Sequence, residues 1–572
     1  MLAYGGRAYS QQVCTAAGSD ILCEGASTDT QDLSGRDNAT VTAGATFEVK
    51  TTTGNGITLT GDGQLTYLDE NVSPLFAPYF GLYVNNSGND GGTPGGVTIN
   101  TNGYLKGNTA LYVYSQGSNG TSISSYNQAY GTYYGIHAKN YGGGLSVTTS
   151  GPVTGGDYGI NVKQDGSGAL SIVAGGDVTG SDDVGIFAQN GGGSSFDITT
   201  AAGTTVYGGT YGIQAINLSS GSSLKITADG DVQSGGKYGI YAINNGTDLT
   251  INSGADSTVQ GEYAIKAQNN GSGATTVDLH GNAYASGDDA YAVLVFNGSD
   301  SSSAGTDLTV TTHAGGMIKG EGGINAGNFG SGALTMSIGG DVHADKFYGI
   351  TAYNAGTDME ITVDGSVYGS MGGVIATQAA SGSIKIHANG YVGGGGTAIY
   401  AGFTNGLSGT SVEITTGAAS TVKGASGIVV GGNPPGSPKD GITVVANGTV
   451  IGNGGSGGGW GIYARNQSDS EVKIVTGANS SIQSSYNGGI GASNYGAVKI
   501  QALGSVTSQY GYGIYAYNSG SSTTITTRRE RIGYQGYSRQ EQWRRRHRHH
   551  GGRKCDGNVR CWRNRASVEW QR

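Results

Sequence analysis

Asp182-Asp183 and Asp288-Asp289 are the conspicuous carboxylate pairs of this chain, and paired carboxylates are what general acid/base or nucleophilic attack on a glycosidic bond would use. That chemistry needs two carboxyl groups about 5 to 10 Å apart on one accessible surface. Adjacent residues of a strand point to opposite faces, so each pair reads as a solvated turn instead. No Gly-Asp-Ser-Gly stretch, no Gly-x-Ser-x-Gly elbow between a strand and a helix and no His-Glu-x-x-His zinc motif is present. Sulfur chemistry has two locations. Cys14 and Cys23 lie close together in a Ser/Gly/Asp-rich stretch and read as a local disulfide if the chain is exported, or as two free thiols. Cys555 and Cys561 stand near His547, His549 and His550, donors that could hold a metal.

The element that must position all of these is a repeat. Between Leu82 and Ile514 the chain returns seventeen times to an aliphatic residue followed two places later by Ala or Val. The full phrase is Tyr238-Gly239-Ile240-Tyr241-Ala242-Ile243-Asn244, and the mean spacing of the anchors is 27 residues. A period of two within the phrase means strand; a period of about 20 to 50 residues between phrases means a solenoid. The residues between, such as Tyr241 and Ile243 or Lys266 and Gln268, vary in type and must face outward. A second alternating run follows a Gly/Ser turn, as in Leu224-Lys225-Ile226, and a short third run such as Asp231-Val232 or Asp177-Val178 closes the unit. One coil is therefore three short strands and three turns. Its apolar face is a few residues wide and can be buried only by stacking coil on coil.

Stacking places equivalent residues about 4.8 Å apart. The fourth residue after the anchor is Asn in twelve coils: Asn86, Asn140, Asn190, Asn217, Asn244, Asn269, Asn297, Asn328, Asn354, Asn466, Asn494 and Asn518. An amide at that spacing can donate to one neighbour and accept from the other, which predicts an internal Asn ladder. Tolerance of left-handed turn geometry is the other use of Asn, but Gln164 and Gln378 occupy the same position where a turn role would favour Gly.

Composition agrees with the repeat. Gly is 110 of 572 residues, Pro only 7, charged residues 12%, and Tyr 35. Collagen is excluded because Gly has no three-residue period. Disorder is disfavoured because Ile and Val recur in register. No stretch reaches the roughly 18 apolar residues of a transmembrane helix, and Met1 to Arg7 carry no apolar export signal. Gly175-Gly176-Asp177 and Gly340-Asp341 share dipeptides with calcium-binding nonapeptide repeats but not their period.

The ends differ from the body. Residues 1–75 lack the anchor phrase and read as an N-terminal cap over the first open edge. Residues 528–572 hold 13 Arg, one Lys and four acidic residues, with Trp543, Trp562 and Trp570. A basic tail could bind nucleic acid. The genetic code accounts for it better: Gly codons read one base early encode only Arg, Trp or Gly, the types that dominate this segment. The tail is expected to be out of frame and disordered, neither nucleic-acid-binding nor metal-ligating, and the chain to be a fragment.

The Cys14/Cys23 segment, Asp37-Asn38-Ala39-Thr40-Val41-Thr42, Phe47-Glu48-Val49 and the Tyr-Gly-Ile-x-Ala-x-Asn coils resemble the passenger region of autotransporter proteins of Gram-negative bacteria. The resemblance covers about residues 10–527 and implies an all-β, right-handed parallel β-helix of the pertactin-like kind. It further implies a cleaved signal peptide and an outer-membrane β-barrel, neither of which is in this sequence. The expected role is a non-enzymatic adhesin or structural protein at the cell surface, attached to or released from the outer membrane. Its expected partners are host matrix proteins, glycans or sister cells, and it would need no cofactor and no catalytic residue. Tyr133, Tyr241, Phe187, Phe296, Tyr353, Tyr463, Tyr515 and Tyr517 would lie outward; most would stack along the coils and stabilise them, and the rest could contact ligands. The longer coils containing Ser299 to Gly305 and Asn433 to Pro438 are candidate recognition loops. The competing expectations are a polysaccharide hydrolase or lyase on the same fold, and an inactive truncated chain.

Overall fold

The computed structural model describes residues 12–88, 94–299, 304–405, 407–431, 438–454, 459–520 and 522–527, with the backbone alone at 528, 532–533, 559–562 and 566–571. The fold is all-β, with no helix among the described residues, a parallel β-solenoid of about 18 turns, close to the 17 repeats that the anchor phrase predicts. Two compact units divide the chain: residues 1–273 with 278–287, and residues 274–277 with 288–572.

Each coil carries three strands. In the first unit Tyr211–Asn217, Leu224–Ala228 and Asp231–Ser234 complete one coil. Tyr211–Asn217 pairs in parallel with Val184–Asn190 before it and Tyr238–Asn244 after it. Ile186, Ile213 and Ile240 stack in one column and Ala188, Ala215 and Ala242 in the next. Every anchor and every residue two places on is buried. Glycine in the phrase reflects how closely successive coils approach at that corner: a Cβ on Gly212 would lie 2.6 Å from Val232 Cγ1 and 2.7 Å from the Gly239 carbonyl oxygen. Only Ala, as at Ala264, also takes the position in this part of the stack.

Coils begin well before the anchor phrase. Gln31–Leu33, Ile57–Gly61 and Phe80–Asn86 pair in parallel, with Gln31 on Ile57 and Ile57 on Leu82. Asp20–Cys23, Thr40–Ala43 and Gln64–Asp69 stack likewise on a second face. The segment that sequence suggests as a cap is thus largely coil, and the capping piece is smaller. It is the antiparallel hairpin Cys14–Ala17 with Asp20–Cys23. Gln31, fully buried, ends the column of aliphatic anchors; its Oε1 accepts from the Val13 N–H at 2.8 Å and its Nε2 donates to Ser27 Oγ at 2.9 Å. A polar side chain closes the apolar column because its hydrogen bonds are all met.

The second unit repeats the plan. Tyr348–Asn354 pairs in parallel with Gly322–Asn328 and Gly372–Gln378, and Trp460–Asn466, Gly488–Asn494 and Tyr512–Asn518 stack near its other end. Beyond them, Ile532–Gly533, Val559–Trp562 and Ala566–Gln571 pair in parallel with Ser505–Ser508, Tyr512–Asn518 and Thr523–Arg528. The remainder of the Arg/Trp-rich tail, including His547, His549, His550 and Cys555, lies outside the described residues.

Candidate functional site

Strand periodicity puts the predicted amides inside. Asn86, Asn140, Gln164, Asn190, Asn217, Asn244, Asn269, Asn297, Asn328, Asn354, Gln378, Asn466, Asn494 and Asn518 are all buried. In the first unit Asn140 Nδ2 donates to Gln164 Oε1 at 2.7 Å, and Asn190, Asn217 and Asn244 donate onward to Asn217, Asn244 and Asn269 at 3.0, 2.6 and 2.9 Å. In the second, Asn297 donates to Asn328, Asn328 to Asn354 and Asn354 to Gln378, at 3.2, 3.0 and 3.0 Å. The ladder and the turn are served together. Asn244 Oδ1 accepts from the Gly246 N–H at 3.2 Å and Asn328 Oδ1 from Gly330 at 3.1 Å. None of these Asn has positive φ, so left-handed backbone is not what selects them.

The ladder is discontinuous. Phe403 pairs with Gln378 in the next coil and offers no amide. Gln378 Nε2 turns instead to the carbonyl oxygens of Gly356 and Thr357, at 3.0 and 2.5 Å. Asn466, Asn494 and Asn518 stack in register, but Asn466 donates to Ser470 Oγ at 2.9 Å and Asn494 to the Ser470 and Ala497 carbonyls, each at 2.7 Å. Ser115 breaks the column in the first unit, directly between Asn86 and Asn140.

Cys14 and Cys23 are bonded, S–S 2.05 Å, across facing positions of the hairpin. Both cysteines are buried.

The carboxylate pairs are engaged in turns. Asp183 bonds the Tyr158 hydroxyl, which with burial as the larger cause pushes that phenol up to about 12. Its carbonyl oxygen accepts from the Thr210 and Tyr211 N–H groups. Asp289 has φ 56° and is exposed. It pairs with Lys346 Nζ, and its N–H donates to Glu321 Oε2 at 2.5 Å. Asp177 and Asp341, in the Gly-Asp dipeptides, each accept from a backbone N–H one coil away, Thr205 at 2.8 Å and Ser366 at 3.2 Å. Those carboxylates tie coils together.

Outward aromatic residues fall into two kinds. Many pack ring on ring along the stack: Tyr83 on Tyr112 at 5.2 Å and 11°, and Tyr112 on His137 at 5.2 Å and 7°. Burial against this row lowers the His137 pKa, with the Lys139 charge adding to the effect. Phe187 meets Tyr158, Tyr241 meets Tyr238 and Tyr211, Phe296 and Tyr353 both meet Phe329, and Tyr463 and Tyr515 both meet Trp460. Tyr133 and Tyr517 are instead exposed, without a ring partner among the described residues. Of the two longer loops, residues 300–303 and 433–437 lie outside the described residues.

Sequence reading missed the surface depressions. One, of about 340 Å³, runs beside the second strands of the first unit and is lined by Gln64, Thr98, Ser122, Ser146 and Ser171 among others. The last four are one outward column in register. Another, of about 450 Å³, lies on the third strands of the second unit. Both are lined without a carboxylate, histidine, cysteine, lysine or arginine. The signal for them was the run of uncharged polar residues at outward strand positions. Comparison with protein-family models, characterised proteins and solved structures finds no match, so fold and surface chemistry carry the functional reading.

Proposed function

We propose that this chain is a surface-displayed passenger of autotransporter type, acting as a non-enzymatic adhesin or structural surface protein. One observation carries the choice of binding over turnover: the two grooves described are lined by neutral amides, hydroxyls, small and aliphatic residues, with no carboxylate, histidine, cysteine, lysine or arginine in the lining to move a proton. A parallel solenoid suits display, because stacked coils hold an extended surface rigid at low ordering cost. The Cys14–Cys23 bond fits an oxidising, extracytoplasmic destination. Host matrix proteins, glycans or sister cells are the partners such a surface would meet.

The test is to display the chain on a bacterium that lacks adhesins, by fusion to a signal peptide and a β-barrel translocator. Expected is retention of those cells on immobilised matrix proteins or glycans without release of soluble sugar. Time-dependent accumulation of reducing or unsaturated sugar ends from a polysaccharide would overturn the reading in favour of a hydrolase or lyase.

A further inference from the structure

We propose that the groove across Thr449–Gly452, Ser481–Ser484 and Ser505–Ser508 binds a neutral saccharide of one or two rings. This deepens the surface-binding reading, on which it rests, by naming a ligand class and a place.

The floor is small and fixed. Gly452, Ser484 and Ser508 lie in register over three coils. Ser484 Oγ bonds the Gly459 carbonyl oxygen and accepts from the Gly488 N–H at 3.2 Å, while Ser508 Oγ accepts from the Gly511 N–H at 3.0 Å. These serines are occupied by the turns. The recognising groups stand above them.

Ile451, Gln483 and Thr507 form the outward column, with Ser485 and Gln509 at the turn. Gln483 Nε2 donates to Ser481 Oγ at 2.9 Å and Gln509 Nε2 to the Tyr510 hydroxyl at 3.1 Å, which holds both amides in orientation. Gln483 Oε1, Gln509 Oε1 and the hydroxyls of Thr507 and Ser485 have no protein partner among the described residues. Amide oxygens accept and hydroxyls do both, so the matching ligand is dense in hydroxyl groups. Without a charge in the lining, an anionic polymer gains no ion pair there, and Ile451 alone offers little to an apolar ligand.

Outside the lining itself, Tyr510 meets Gln509 through its hydroxyl and packs on the ring of Tyr486; the two tyrosines, Tyr486 and Tyr510, are 40% and 62% exposed. Their rings meet at 5.1 Å and 38°, so each covers part of the other, and the large exposed remainder of Tyr510 is the ring surface left for a ligand. The C–H face of a pyranose packs on such a ring while its hydroxyl edge meets amides. A peptide could not enter by strand addition, since Ser481–Ser484 is paired with neighbours on both sides. A volume of about 450 Å³ suits a small ligand. The open groove implies weak single-site affinity, strengthened when many copies are displayed on one surface.

The experiment is saturation-transfer NMR and calorimetry on the full chain, with maltotriose, cellotriose and lactose as neutral probes and a heparin tetrasaccharide as the anionic one. Expected is millimolar binding of at least one neutral probe. Gln483→Ala and Tyr510→Ala should each weaken it about tenfold or more, Tyr510→Phe, which keeps the ring but removes the acceptor that orients Gln509, should weaken it less than Tyr510→Ala, and Gln501→Ala, on a different strand, should leave it unchanged. Circular dichroism identifies any variant that has lost the fold; Gln509→Ala then replaces it. Absence of binding by all neutral probes, preference for the heparin fragment, or binding indifferent to Gln483 and Tyr510 overturns the inference. Cell adhesion that persists in Gln483→Ala, with these results, would leave the adhesin reading standing. Sugar binding in a chain whose displayed form does not adhere would remove that reading while the groove remains.

Discussion

Asn217 donates from Nδ2 to Asn244 Oδ1 at 2.6 Å, and Asn244 in turn donates to Asn269 at 2.9 Å, all three side chains fully buried. Each amide thereby joins two coils and fastens its own turn, as when Asn244 also meets the Thr247 and Asp248 carbonyl oxygens. Buried amides repay their desolvation only while those partners are present.

Replacing Asn244 with Ala should therefore leave the Asn217 amide short of an acceptor and cost about 1–3 kcal/mol. Because coils can open locally, amide hydrogen exchange is the right measurement. The Gly246 amide should exchange faster, and Asn466→Ala, outside the continuous ladder, should have a smaller effect. Equal effects at both positions would show that cooperation along the ladder adds nothing.

Narrowness of the core makes a second prediction. Ala242 and Ala267 stack in register and are fully buried, whereas Ile243 is half-exposed. Ala242→Phe should overpack the coil at a cost of about 1–3 kcal/mol, and Ile243→Lys should be nearly neutral. Chemical denaturation checks both, and tolerance of Phe at Ala242 would refute the packing.

Burial raises the Asp69 carboxyl above its ordinary value, against the Asn71 and Ser73 N–H groups that pull it down. The folded chain then holds this proton more tightly than the unfolded one. The contribution to stability is full below the ordinary carboxylate pKa and is lost as pH rises through the raised folded value. Asp69→Asn should abolish this part of the pH dependence and be the more stable protein at neutral pH. A pH series of denaturation midpoints that falls in parallel for both proteins would refute it.

The hairpin Cys14–Ala17 with Asp20–Cys23 holds the start of the stack. Cys14→Ser with Cys23→Ser should expose Gln31 and the first coils to faster exchange and proteolysis, while coils near Asn244 remain protected. Peptide mapping of exported protein should recover Cys14 joined to Cys23; recovery of two alkylatable thiols would refute the bond.

The sequence by itself determined the unit of this protein. Alternation through Ile240, Ala242 and Asn244 has one physical meaning, a strand with one face inward, and its recurrence leaves stacking as the means of burying so narrow a face. Beyond the amide column that the phrase itself predicts, relations between coils were decided by the tertiary structure, because turns of unequal length separate partners that touch. His137 lies 25 positions beyond Tyr112, yet their rings stack. Gln31 stands where an anchor would, though its segment carries no anchor phrase, and while the phrase itself puts Phe403 in place of an amide, only the structure shows Gln378 turning to the Gly356 and Thr357 carbonyl oxygens beside that gap. The pairing of Gln483 with Thr507 beside two tilted tyrosines is of the same kind. Local periodicity sets which way a side chain points; the number of residues in each turn sets what it meets.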